Sequence, residues 1–170
     1  MADLAPIVGR LNQTRAGLMA VLDTIPAGRW KKQPPQGGWS AAEVIAHLTM
    51  VEQAILGGAE RVLQKEPALI PLWKRLHIPP VVSEWRTFKA RSPIPLDPSL
   101  LDEKQAMLER FQVLRRRTLV FIETNQHRDL SRWRYPHPFF GSLNVYSWLK
   151  NIYHHEIRHT KQLREIARSV

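Results

Sequence analysis

The chain has 170 residues and no cysteine, which excludes a disulfide scaffold, thiolate metal sites and a cysteine nucleophile. With 44% hydrophobic and 24% charged residues it reads as a single globular domain spanning residues 1–170 rather than a disordered chain. The net charge of +10 is dispersed, its longest run being Arg115-Arg116-Arg117, so no nucleic-acid partner is expected from charge.

No apolar run approaches the roughly eighteen residues of a membrane span. The N-terminus, Met1-Ala-Asp-Leu-Ala-Pro6, lacks the basic and apolar regions of a signal peptide. A soluble cytoplasmic protein with no membrane partner is the expectation.

Residues 3 to 25 carry Leu4, Ile7, Val8, Leu11, Leu18, Leu22 and Ile25 near a 3.6-residue period, which predicts a first helix. Pro26 and Gly28 end it, and a loop with Pro34-Pro35 and Gly37-Gly38 follows. The second helix opens on Ser40-Ala-Ala-Glu43, the pattern of a capping box, with Trp39 just before it. It should run to about Gln64, with Val44, His47, Leu48, Val51 and Ile55 on its apolar face.

Seven of the 13 prolines, Pro67, Pro71, Pro79, Pro80, Pro93, Pro95 and Pro98, fall between residues 66 and 99. Leu69, Leu72, Trp73, Leu76, Trp85 and Phe88 in the same stretch predict a packed crossover rather than a loose linker. A third helix is expected from about Ser99 to Thr124, with Leu101, Leu108, Phe111, Leu114, Thr118, Phe121 and Ile122 inward. A loop over residues 129–141 leads to a fourth helix from about Asn144 to Arg168. No stretch alternates with period two, so no strand is predicted. The elements define an all-α, up-and-down four-helix bundle with a long Pro-rich crossover between helices 2 and 3.

Chemistry concentrates on the last helix. Trp148, Ile152, His155, His159, Gln162 and Ile166 share one stripe, apolar at both ends and polar in the middle. Two imidazoles four residues apart on a helix have the spacing of metal ligands, and His47 supplies a third on another inward face. Three histidines leave a coordination position open, the pattern of a catalytic site. Histidine donors suit zinc, nickel or iron alike. The competing reading is three core histidines bonded to backbone or to each other.

His155-Glu-Ile-Arg-His159 also fits H-E-x-x-H, a zinc peptidase pattern. Gln162 and Glu165 occupy the positions of the glycine and last histidine in its extended form, so the peptidase reading falls away. Glu156 is a catalytic candidate that could orient a water; otherwise it is an exposed helical glutamate. Gln162 is placed to hydrogen-bond a ligand histidine. His154 flanks the pair, Arg158 reads as a solvated charge, and His137, between two prolines, as structural. Gly57-Gly58 is too isolated for a phosphate loop.

Gly38-Trp-Ser-Ala-Ala-Glu-Val-Ile-Ala-His47, His137-Pro-Phe-Phe-Gly-Ser-Leu143 leading to Trp148, and His155-Glu-Ile-Arg-His159 with Gln162 together resemble the DinB-like, YfiT-like superfamily of four-helix metalloproteins. The resemblance implies a divalent metal on His47, His155 and His159, and a homodimer. It also implies a small-molecule substrate, since some relatives are transferases or isomerases that use low-molecular-weight thiols such as bacillithiol or mycothiol. The metal would then activate a thiol or water, for a thiol-dependent S-transferase or isomerase ahead of a hydrolase. The alternatives are a non-catalytic metal- or ligand-binding bundle and, further off, a nucleic-acid-associated protein.

Overall fold

The structure is a computed structural model that describes residues 3–67, 77–84 and 95–170. Four long helices form it: α1 (Ala5–Asp23), α2 (Ala41–Leu63), α3 (Lys104–Thr124) and α4 (Val145–Ser169). α4 packs on α1 and α2, and α2 packs on α3. This is the expected all-α four-helix bundle, with its longest connection between α2 and α3. Leu69, Leu72, Trp73, Leu76, Trp85 and Phe88, expected to pack that crossover, lie outside the described residues. No helix among the described residues is long and apolar enough to cross a membrane.

Local chemistry explains the helix starts. Ser40 Oγ accepts from Glu43 N at 3.2 Å, and the Glu43 carboxylate accepts from Ser40 N at 2.7 Å, a closed capping box on α2. Asn144 Oδ1 accepts from Ser147 N at 2.8 Å and caps α4. α3 begins later than its sequence suggests. Pro98–Leu100 form a separate 3-10 turn under the Asp97 side chain, and the extended backbone at Leu101 and Glu103 delays the helix to Lys104.

The expectation of no strand is corrected. Arg134–His137 (β1) pairs antiparallel with Gly141–Asn144 (β2), Tyr135 facing Leu143 and His137 facing Gly141. Four-residue strands with Pro136 inside and Pro138 just beyond are too short to display alternation. Gly141, at φ 82°, allows the reversal.

Tertiary anchors hold this ribbon to the bundle. The Tyr135 ring stacks on Trp148 with centroids 4.5 Å apart, and its hydroxyl donates to Ile55 O at 2.9 Å. A Cβ on Gly58 would lie 2.7 Å from that ring, so glycine is what lets the ribbon lie against α2. Gly57-Gly58 thus has a packing role at its second position.

The core is divided in two. One apolar cluster includes Leu11, Ile55, Phe121, Leu149 and Ile152. The other includes Leu18, Ile45, Phe111, Leu163 and Ile166. Between these positions along the helices lie Arg15, His47, Glu52, Arg115, Thr118, Glu156 and His159, all buried. A polar layer therefore crosses the middle of the bundle.

Candidate metal centre

The capping box fixes the first turn of α2, and His47 follows two turns later, 6% exposed. His155 and His159 project from consecutive turns of α4. The three rings meet through their Nε2 atoms: His47 to His155 is 3.3 Å, and His159 to His155 is 3.1 Å. One ligand nitrogen from each of the three lies within 4.8 Å of the others. The sequence placed His47 opposite the pair only on the assumption that the two helices meet at matching heights, and they do.

The separations of 3.3 and 3.1 Å fit a metal ion. Tetrahedral coordination with Zn–N bonds of about 2.0–2.1 Å separates ligand nitrogens by about 3.3–3.4 Å. The donor chemistry fits too. His159 Nδ1 is 2.9 Å from Gln162 Oε1, and because that oxygen can only accept, Nδ1 carries the proton and Nε2 presents its lone pair. Burial pushes the His47 imidazole down to about 4. His155 is pushed well below its ordinary value by burial first, and then by the proximity of His159 and His47. Both rings are neutral at physiological pH, the form that ligates metal. Trp39, just ahead of the capping box, packs against two of the three, its ring centroid 4.9 Å from His47 and 6.3 Å from His159.

Glu156 is not an exposed helical glutamate: it is 1% exposed. Its carboxylate accepts from Arg15 Nε at 2.8 Å, Arg115 Nη2 at 2.9 Å and Thr14 Oγ1 at 2.6 Å. Glu52 accepts from Arg15 Nη2 and Arg115 Nε at 2.8 Å each, from Arg115 Nη2 at 3.1 Å and from Thr118 at 2.8 Å. Each helix thus contributes one charge, two arginines against two glutamates, and the cluster is neutral as a whole. Desolvation lowers Arg15 and opposes ionisation of Glu52, but the two guanidiniums outweigh it and hold Glu52 below the usual carboxylate range.

Sequence reasoning missed this cluster. The signal was there: Arg15 falls between Leu11 and Leu18, Glu52 between Leu48 and Ile55, and Arg115 between Phe111 and Thr118, all at helical spacing. A charge on an inward stripe is either misplaced or paired.

The remaining candidates sit around the centre. His154 Nδ1 is 2.5 Å from Glu84 Oε1, and Arg158 Nη1 donates to Ser83 O at 3.3 Å, so both tie α4 to residues 80–84. The half-buried Arg158 is therefore more than a solvated charge. His137 ends β1, and its Nδ1 accepts from the amides of Phe139 at 3.1 Å and Phe140 at 3.2 Å, the structural role expected of it.

The fold and the centre define a class: helical bundles with a histidine cluster, drawn from two helices, that could hold a metal. The chain belongs to the DinB superfamily, whose model matches residues 10–163. It is also similar to the uncharacterized protein YuaE of Bacillus subtilis (strain 168), at 27% identity over 161 residues, covering 94% of this chain and 96% of that one. No solved structure matches it.

Proposed function

We propose that this chain is a metal-dependent enzyme acting on a small molecule, with a divalent ion held by His47, His155 and His159. The observation that carries the reading is the convergence of three imidazole nitrogens from two helices within 4.8 Å. Nitrogen donors of this kind suit zinc, nickel or iron. A divalent ion bound there supplies Lewis acidity, lowering the pKa of a thiol or water at its open position.

The chain's own residues do the rest. Burial keeps His47 and His155 unprotonated. Gln162 fixes the tautomer of His159. Trp39 packs the outer faces of two rings, and Leu48, Val51 and Ile152 surround His155 with apolar surface.

Superfamily membership supports a low-molecular-weight thiol as co-substrate, in an S-transfer or isomerisation ahead of a hydrolysis. A homodimer belongs to the same proposal. The test is thiol consumption by metal-loaded protein with panels of electrophilic and isomerisable substrates, alongside ester and amide hydrolysis. Turnover that disappears in His155→Ala supports the reading. A metal-loaded protein with no turnover in any panel overturns the enzymatic part of it.

A further inference from the structure

We propose that one water molecule sits beneath the histidines and joins His155 Nδ1 to the Glu156 carboxylate, which makes Glu156 a positioning residue for the metal centre. The inference rests on the metal reading above for its functional meaning and for the proton on His155 Nδ1, whereas the water itself is visible with or without metal.

A small, partly open space of about 10 Å³ lies between the histidines and the charged cluster, lined by Leu48, Val51, Glu52, Ile152, His155 and Glu156. That volume is near the minimum for a single water, which also needs two to four polar partners. Nothing larger fits. Three of the six lining side chains are polar, so the space is not the dry apolar kind.

His155 can take such a partner. Its Nε2 faces the other two histidines, and its Nδ1 has no hydrogen bond among the described residues. A histidine that ligates through Nε2 almost always donates its other N–H to a carboxylate, a carbonyl or a water. The carboxylate of Glu156 cannot take that N–H directly from its sequence neighbour, because adjacent residues on a helix point about 100° apart. A bridging atom closes the gap.

Counting acceptors identifies the other end. An ionised carboxylate offers about four lone-pair positions. Glu52 has its four filled, by Arg15, twice by Arg115 and by Thr118. Glu156 has three filled, with only Thr14 on Oε2. The remaining position is therefore on Glu156 Oε2. A water accepting from His155 Nδ1–H and donating to Glu156 Oε2 satisfies both. It ties the metal ligand to charges from all four helices, so that the ring's orientation is held by the whole bundle.

The test combines a high-resolution crystal structure of the full chain with zinc affinities from chelator competition. Density for a water within hydrogen-bond distance of His155 Nδ1 and Glu156 Oε2 is expected with and without metal. Val51→Ile, which fills the space with a methylene, and Glu156→Gln, which removes the charge, should each weaken zinc about 10- to 100-fold. Val51→Ile keeps the Glu156 charge and its three bonds to Thr14, Arg15 and Arg115, so weakened zinc binding by folded Val51→Ile separates positioning from loss of the charge if Glu156→Gln fails to fold. An empty space in the wild-type crystal overturns the water. A water that is present while Val51→Ile and Glu156→Gln bind zinc within twofold of wild type overturns the positioning role. Wild-type protein that binds no zinc would sink the metal reading instead, and the crystal alone would still decide the water.

Discussion

Arg115 holds Glu52 by a two-pronged fork, Nε to Oε1 at 2.8 Å and Nη2 to Oε2 at 3.1 Å, between helices α3 and α2 and out of reach of solvent. Arg115 Nη2 also reaches Glu156, and Arg15 bridges the same two carboxylates. A buried charge is tolerated only while its partner is present. Arg115→Leu should therefore cost about 3–5 kcal/mol, since it leaves Glu52 and Glu156 with a surplus negative charge in the core. Chemical denaturation checks this. A loss below about 1 kcal/mol, typical of a surface pair, would contradict the burial described.

The helix that carries His47 depends on its first turn. Ser40→Ala removes the acceptor for Glu43 N and should destabilise the protein by about 1 kcal/mol. Urea unfolding would show a lowered midpoint with an unchanged slope.

Gly58→Ala tests the packing of the ribbon. Helix propensity alone favours alanine over glycine by about 1 kcal/mol. Here a Cβ would meet the Tyr135 ring at 2.7 Å, and that ring is held by Trp148 and by its bond to Ile55 O. The clash wins, and the substitution should destabilise by about 1–3 kcal/mol. A stabilised Gly58→Ala would place the ribbon elsewhere.

Acid sensitivity follows from one buried and one half-buried imidazole. His47 and His137 are both pushed down to about 4 by burial, from an ordinary value of 6.5. Between those values the unfolded chain binds protons that the folded chain does not, so stability falls as pH drops through this window. Each such proton is worth up to about 1.4 kcal/mol per pH unit. In chelator-treated protein, His137→Gln should remove about one proton from the slope between pH 6 and roughly 4.5. A denaturation midpoint that does not move with pH there would contradict the neutral state of the two rings.

Much of the bundle could be read from the sequence because each helix announces itself locally. Ser40 and Glu43 spell a cap, and Trp148, Ile152, His155 and His159 spell a stripe. What escaped was non-local. Arg115 looks like the first residue of a basic surface run until Glu52, 63 positions away, is known to face it. Glu156 looked solvent-facing in an H-E-x-x-H frame because its partners Arg15 and Thr14 lie at the other end of the chain. The β1–β2 ribbon is set by the docking of Tyr135 on Trp148 and Gly58, not by strand propensity.

The central claim is that His47, His155 and His159 form one metal site across α2 and α4. Metal analysis of protein purified without a histidine tag tests it most directly. Wild-type protein should hold about one divalent ion per chain, as three protein ligands with one open position require, and His47→Ala and His155→Ala should hold almost none while remaining folded. A wild-type protein free of metal after incubation with zinc, nickel and iron, or His47→Ala and His155→Ala variants that keep their metal, would contradict it.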